Sequence, residues 1–342
     1  MFQPRESCCD VKCVLIFRFT LNHLKCFCIL ADMLRFRPIY RYALLLALLL
    51  PAGLFLGGCF RKWTLSPAQI EQRFADKPLK PVPFAVDTLG RHLAWHQIGH
   101  DTLPLLLLIH GAPGSWYGYL NLMEDPELQR HFQMISVDRP GYGASDYGHP
   151  LIGLEDQSRM LHAVLERYKH CRPIIVLGRS YGSPIAAQLA ADYPELVDAF
   201  VMLAPAIDPR LEKFWWFSPI GLLDGVRNLL PDALNVATDE KYSHRRELRK
   251  LEKLLPKISK PTTVIQGGDD DLVDPRNILY AEKMLQNAPA RMVFISGQSH
   301  HISRQRPDLV KKYVLLHLEE YRKPALASSR GSLGGPQVVL EE

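Results

Sequence analysis

A chain of 342 residues, with 47% hydrophobic and 23% charged residues, has the composition of a globular protein rather than of a disordered or polytopic membrane protein. Residues 1–58 carry seven Lys or Arg against three acidic residues and so hold +4 of the net charge of +5. The nearly neutral remainder argues against a nucleic-acid partner. A basic run at residues 244–257 alternates with Glu and Leu, and we interpret it as the solvated face of a helix.

The first 32 residues differ from the rest of the chain. They hold five of the seven cysteines and show no helical or strand periodicity. No disulfide framework can therefore span the body of the protein. Our hypothesis is that residues 1–32 are a misassigned extension and that Met33 is the true start.

From Met33 the sequence has the order of a secretory signal, with basic residues, an apolar run over 43–56 and small residues before Cys59. The ending Leu-Gly-Gly-Cys resembles the lipobox of bacterial lipoproteins, which implies a signal peptide over 33–58 and lipidation of Cys59. The alternative is an uncleaved anchor, because residues 42–60 are free of charge. Either interpretation predicts a domain held at a membrane outside the cytoplasm, after a proline-containing linker over 59–83.

The body, residues 84–322, alternates short apolar runs with helical patterns, which is typical of a mostly parallel, doubly wound α/β sheet of about eight strands. The first two strands form an antiparallel hairpin. The alternation pauses at 206–256, where we expect a small cap, and residues 323–342 have a composition typical of a disordered tail. The expected strands are 84–87, 92–98, 103–109, 133–137, 173–177, 199–203, 261–265 and 291–295, and the expected helices are 154–169, 183–192, 276–285 and 307–321.

A candidate nucleophile lies between the strand at 173–177 and the helix at 183–192. Residues 178–182 read Gly-Arg-Ser-Tyr-Gly, a G-x-S-x-G motif. In this context the motif predicts a sharp turn that exposes the hydroxyl of Ser180, with small residues letting the strand and the helix approach closely. A serine nucleophile needs a general base.

The candidate base is His300, which follows the last expected strand, and the adjacent His301 is its competitor. A catalytic histidine needs a carboxylate to fix its tautomer. Asp269, Asp270 and Asp271 follow the preceding strand and offer three candidates.

Together these motifs resemble the α/β-hydrolase superfamily, in the chain order Ser180, Asp270, His300. The resemblance extends over about 84–321, without most of the cap. Its motif after the penultimate strand selects Asp270, or Asp271 if the register shifts by one residue. The sequence His-Gly-Ala-Pro-Gly at 110–114 resembles the oxyanion loop of the superfamily, which implies backbone N–H donors at Ala112 and Tyr181.

The resemblance implies a serine hydrolase that cleaves a carboxylic ester or related acyl bond through an acyl-serine, with no metal or organic cofactor. Alternatives are a proline iminopeptidase-like peptidase, a carbon–carbon bond hydrolase or acyltransferase and, from another class, a noncatalytic membrane-held binding module. The oligomeric state is left open. Three aromatic residues of the expected cap are expected to cover the active site, to pack within the cap or to insert into a bilayer interface: Trp215, Trp216 and Phe217. Arg179 is expected either to bind an anionic substrate group or to have a structural role. Asp138 is expected to brace the oxyanion loop.

Overall fold

A computed structural model describes residues 65–214, 218–323 and 336–341 of the protein. These residues form one nine-stranded sheet in the order β1-β2-β4-β3-β5-β6-β7-β8-β9. Pairing is antiparallel between β1 and β2 and between β2 and β4, and parallel from β4 onward. The strands are β1 (Val82–Thr88), β2 (Arg91–Ile98), β3 (Leu105–Ile109), β4 (Gln133–Val137), β5 (Ile174–Arg179), β6 (Ala199–Leu203), β7 (Thr262–Gly267), β8 (Ala290–Ile295) and β9 (Gln337–Glu341).

Helices cover both faces of the sheet, as in the doubly wound fold that the sequence predicts, and this prediction is confirmed. Strand residues alternate between two apolar layers, so that Leu107 and Val176 pack on one face while Leu106 and Ile175 pack on the other. The helices are α1 (Pro67–Arg73), α2 (Leu120–Met123), α3 (Pro126–His131), α4 (Leu154–Arg167), α5 (Gly182–Asp192), α6 (Asp224–Arg227), α7 (Asp232–Leu251), α8 (Asn277–Met284), α9 (Ile302–Gln305) and α10 (Pro307–Arg322).

The expected linker over 59–83 is wrong from residue 65 onward, where the described chain begins. Helix α1 begins after Ser66, whose hydroxyl accepts the N–H of Gln69 while the Gln69 side chain accepts the N–H of Ser66, a complete capping box. Phe74 follows the helix and is 1% exposed within the apolar layer on one face of the sheet. The compact unit therefore begins at Leu65 rather than near residue 84.

The tail also departs from expectation. Strand β9 pairs in parallel with β8, and Glu341 accepts hydrogen bonds from Lys312 and Tyr313 of α10. The expected disorder of residues 323–342 is wrong for these five residues. The short apolar run of this strand is stabilised by an edge partner that lies far away in sequence.

The insertion between β6 and β7 consists of a 3₁₀ turn (Ser218–Leu222), helix α6, the long helix α7 and a second 3₁₀ turn (Leu255–Lys257). The buried stripe of α7 contains Glu240, His244 and Glu247 beside apolar residues. Its exposed positions include the basic residues Arg245, Arg246, Arg249 and Lys250. The basic run thus occupies the solvated side of α7, while acidic side chains face inward.

Candidate active site

Ser180 occupies the turn between β5 and α5 with a φ of +53°, a left-handed conformation that a non-glycine residue adopts at an energetic cost. Its N–H donates to the carbonyl of Leu203 at 2.8 Å, which ties the turn to the end of β6. The side chain is half-buried. This is the strained strand-to-helix turn that the motif predicts.

The two glycines of the motif allow close backbone approach. A Cβ atom on Gly178 would lie 2.2 Å from the carbonyl oxygen of Gly182. A Cβ atom on Gly182 would lie 2.3 Å from the carbonyl oxygen of Ile109 and 2.6 Å from that of His110. Neither position has room for a side chain, so the turn keeps its shape only with glycine at both.

Asp270 follows β7 and is buried in the turn that the strand leads into. Its Oδ1 atom accepts the N–H groups of Leu272 and Val273 at 3.0 and 2.8 Å. Its Oδ2 atom accepts the side-chain amide of Gln266 at 3.2 Å. The carboxylate is therefore held in one orientation, with Oδ2 turned toward the end of β8.

His300 follows β8, and its Nδ1 atom lies 2.7 Å from Oδ2 of Asp270. Its side chain is 8% exposed, whereas the neighbouring acids Asp269 and Asp271 are exposed. The ring of His301 lies 5.8 Å from that of His300, and burial lowers the pKa of His301, with a smaller effect from His300. Of the sequence alternatives, the structure thus pairs Asp270 with His300.

The loop after β3 lies against Ser180. A Cβ atom on Gly111 would lie 3.0 Å from Cβ and 3.7 Å from Oγ of Ser180. Ala112 is the next residue of this loop, and the backbone of Tyr181 follows Ser180 directly. Both expected oxyanion donors therefore belong to segments that border the Ser180 hydroxyl.

Asp138 links two loops beside the site. Its Oδ1 atom accepts the hydroxyl of Ser115 at 2.7 Å and the N–H of Trp116 at 2.9 Å, and its Oδ2 atom accepts the N–H of Ala144 at 3.0 Å. Burial raises the pKa of Asp138, and these hydrogen bonds oppose that shift. Asp138 braces the segment that follows the oxyanion loop.

His110 and Arg139 fix the loop after β3, a role that the sequence patterns do not predict. The Nε2 atom of His110 accepts the backbone N–H of Arg139 at 3.0 Å, and its Nδ1 atom lies 2.7 Å from the carbonyl oxygen of Gly111. Burial, helped by the charge of Arg139, holds the pKa of His110 well below its usual value. The ring is therefore neutral, with its proton on Nδ1, and it fixes the loop rather than exchanging protons.

Some of the expected cap residues and the expected anchor residue cannot be placed. Trp215, Trp216, Phe217 and Cys59 lie outside the described residues. The cap contacts the loop that follows β7 and carries Asp270, which we call the acid loop. In this contact Lys213 donates to the carbonyl of Asp271 at 3.4 Å.

The guanidinium of Arg179, which the sequence offers as a possible anion contact, has structural partners. It donates to the hydroxyl of Ser303 at 3.2 Å and lies 5.6 Å from the ring of Tyr119. Contact with a substrate anion remains a prediction. Within the described part of the chain, no three His, Cys, Asp or Glu side chains are grouped as a metal site would require.

Comparison with known proteins points to hydrolases. Residues 104–235 match the family model described as alpha/beta hydrolase fold. A monoglyceride lipase homolog of monkeypox virus is 23% identical over 248 residues, covering 64% of this chain and 88% of that protein. Proline iminopeptidase PfmaB of Pestalotiopsis fici is 22% identical over 284 residues, covering 69% of this chain and 99% of that protein.

Among solved structures, one described as a membrane phospholipase A and bacterial virulence factor superposes with a TM-score of 0.55. It is 20% identical and the match covers 90% of this chain and 99% of that one. At this level of identity the likeness shows the fold alone.

Proposed function

We propose that this chain, which has the α/β-hydrolase fold and is similar to hydrolases, is a serine hydrolase that cleaves a carboxylic ester or related acyl bond. The observation that carries the proposal is the 2.7 Å contact between His300 and Asp270 at the ends of two neighbouring strands. Ser180, in its strained turn, supplies the third group.

In the proposed reaction, Oγ of Ser180 attacks the acyl carbon while Nε2 of His300 takes the hydroxyl proton. The N–H groups of Ala112 and Tyr181 bind the oxyanion that forms on the carbonyl oxygen. Collapse of this intermediate breaks the bond to the leaving alcohol, which takes the proton from His300. Water then attacks the acyl-serine by the same route, so that acid and free enzyme are released.

Asp270 orients His300 in this scheme. Because Nδ1 of His300 faces a carboxylate, the proton stays on Nδ1 and leaves Nε2 free to accept one from Ser180. The negative charge also stabilises the imidazolium that forms in each transition state.

An apolar acyl substrate fits the cap better than a peptide with a free amino group. Six large apolar side chains in the cap and the acid loop are 41 to 61% exposed, namely Phe214, Ile220, Leu222, Leu223, Leu229 and Leu272. An aminopeptidase needs an acid for the substrate amine, but the buried cap glutamates Glu212, Glu240 and Glu247 are each already paired with a basic side chain. This arrangement favours an ester over an iminopeptidase substrate.

The test uses the full chain purified in detergent and a fluorophosphonate probe, which forms a covalent adduct with an activated serine. Wild type is expected to label, and Ser180→Ala and His300→Ala to lose labelling, while Ser303→Ala keeps it. A panel of p-nitrophenyl esters of rising acyl length and of proline p-nitroanilide then separates esterase from iminopeptidase activity. A folded wild type that neither labels nor turns over any of these substrates contradicts the proposal.

We further propose that residues 33–58 hold the domain at a membrane outside the cytoplasm, through lipid on Cys59 or an uncleaved helix. These residues lie outside the described part, and no described helix combines the length and apolar character of a membrane span. The support is the order of basic, apolar and small residues before Cys59. The intact mass of the protein purified from the membrane fraction separates the alternatives, because the lipidated form lacks all residues before Cys59. Cys59→Ser should abolish that shorter product.

A further inference from the structure

The Arg139 side chain is fully buried, and all five N–H bonds of its guanidinium have acceptors. Nε donates to the carbonyl of His110 at 2.9 Å, and Nη2 donates to the carbonyl of Gly111 at 3.1 Å. Nη1 donates to the side chain of Gln157 at 3.0 Å, and both terminal nitrogens donate to the carboxylate of Glu240. The fork is therefore fixed in one orientation, with the oxyanion loop on one side and Glu240 on the other.

The bond to Gly111 bears directly on the oxyanion hole. In a trans peptide the C=O and the following N–H point in opposite directions, so the carbonyl of Gly111 and the N–H of Ala112 are two ends of one rigid plane. Arg139, together with Nδ1 of His110, holds the carbonyl end and so sets the direction of the donor at the other end. A cation on the carbonyl also polarises the amide and strengthens its N–H as a donor.

The second donor residue touches the same cation. The ring of Tyr181 lies 4.7 Å from the guanidinium carbon of Arg139, within the range of a cation–π contact. Tyr181 is 5% exposed, so this packing takes place in a dry environment. Both residues that carry the proposed oxyanion donors thus rest on Arg139.

Glu240 in turn holds Arg139. It lies in α7 of the cap, is fully buried and also accepts the hydroxyl of Tyr142 at 2.7 Å. Burial alone lowers the pKa of Arg139, but Glu240, with smaller effects of Tyr142 and Tyr181, more than offsets this, so the guanidinium stays charged. Without the carboxylate, Arg139 would be a buried cation with no counter-charge and would be free to move toward other acceptors.

We propose that Glu240 is a positioning residue for the oxyanion hole: from the cap, and through Arg139, it fixes the orientation of the N–H donors. This inference rests on the function proposed above. It makes the cap part of the catalytic apparatus, since a side chain 101 residues away in sequence from Arg139 fixes the loop beside Ser180.

The test is Glu240→Gln in the full chain, assayed on the best ester of the panel. An amide puts an N–H₂ group against one terminal nitrogen of Arg139, so the fork must shift and the Gly111–Ala112 plane with it. Loss of a whole oxyanion donor costs about 10²–10³-fold in kcat. We expect a misaimed donor to cost about 10- to 100-fold in kcat while KM changes by less than about threefold, because the oxyanion exists only in the transition state.

Glu247→Gln is the matched control. Glu247 lies on the same helix, is 2% exposed and pairs with Arg246 and Lys250, whose side chains are largely exposed. The two variants remove the same charge from the same buried stripe, and only Glu240 reaches Arg139. We expect the kcat of Glu247→Gln to stay within about twofold of wild type, and equal losses in the two variants would overturn the proposal.

A second variant separates positioning from stability. Replacing a buried ion pair by apolar side chains of similar volume is often neutral or stabilising. In Arg139→Met combined with Glu240→Met no unpaired charge remains, but the buried carbonyls of His110 and Gly111 lose their Arg139 donor. The double variant is therefore expected to unfold somewhat below the wild-type temperature and, assayed in its folded state, to keep the low kcat. Recovery of wild-type kcat in the double variant refutes the positioning role, whereas failure of wild type to hydrolyse any ester refutes the proposed function itself.

Discussion

Replacing Asp270 by Asn tests the tautomer argument with almost no change in shape. Asn has one oxygen, and the structure decides where it points. If the oxygen takes the place of Oδ1, it keeps the N–H groups of Leu272 and Val273. If it faces His300 instead, the amide N–H₂ meets both backbone donors, which loses two hydrogen bonds and leaves buried donors unsatisfied, at a cost of about 2–3 kcal/mol.

Gln266 increases this preference. Its Oε1 atom is buried and has no hydrogen-bond partner among the described residues, while its amide nitrogen donates to Oδ2 of Asp270. A flip of the Gln266 amide would let Oε1 accept a hydrogen bond from the N–H₂ group of the new Asn side chain. The introduced N–H₂ group would therefore face Nδ1 of His300 in about 97–99% of molecules, which follows from the same 2–3 kcal/mol.

The consequence for catalysis follows from the position of one proton. Facing an N–H₂ group, Nδ1 of His300 must accept, so the proton moves to Nε2 and the ring cannot take one from Ser180. This orientation alone lowers kcat by about 30- to 160-fold. Loss of the carboxylate charge, which stabilises the imidazolium, lowers it further, so we expect kcat on the best p-nitrophenyl ester to fall by about 10⁴-fold with the unfolding temperature nearly unchanged. Asp269→Asn and Asp271→Asn, at exposed neighbours, should keep kcat within about twofold. An Asp270→Asn enzyme that retains more than a tenth of the wild-type kcat would refute the reasoning.

Two further predictions concern pH and packing. Burial lowers the pKa of His317 from 6.5 to about 3, so stability is complete above pH 6.5 and is lost as the pH falls toward 3, because the unfolded chain takes up the proton first. Near pH 5 the loss of folding free energy from this one group is about 2 kcal/mol. The unfolding temperature of His317→Gln should therefore fall less steeply between pH 7 and pH 5 than that of wild type. His92→Gln, at an exposed site, should behave like wild type, and equal slopes in all three proteins would contradict the assignment. Gly182→Ala should lower kcat at least about 10-fold, because its Cβ would press on the carbonyls of Ile109 and His110. Gly225→Ala, whose Cβ would meet no described atom within 4 Å, should leave kcat unchanged, and parallel effects in the two variants would count against the close-approach argument.

The central strands and their motifs could be predicted because their signals are local. The runs at 133–137 and 199–203 match β4 and β6 residue for residue, since strands buried on both faces have continuous apolar sequences. The turn at Ser180 follows from the glycines around it, whose positions leave no room for a Cβ atom. The choice of Asp270 required the register of a family motif, because three successive acids carry no local distinction.

Elements whose stability comes from a partner distant in sequence were not predicted. Prolines made residues 59–83 look like a linker, yet Phe74 packs into the apolar layer and Arg73 pairs with Glu124. The capping box at Ser66 and Gln69 was the available signal for α1. Strand β9 had no comparable signal, since its edge partner β8 is more than forty residues earlier in the chain.

The position of Glu240 on a buried helix stripe predicts more than the sequence analysis drew from it. Along α7 the spacing of Val236, Glu240, His244 and Leu248 places them on one stripe, and a glutamate on a buried stripe requires a cation or a donor set. The pattern predicts such a partner without identifying it, because Arg139 lies in a loop that no periodicity connects to the cap. Any cap exchanged into this fold must therefore supply an acid at that point. Otherwise Arg139, which donates to the Gly111 carbonyl, loses the counter-charge that keeps it in place.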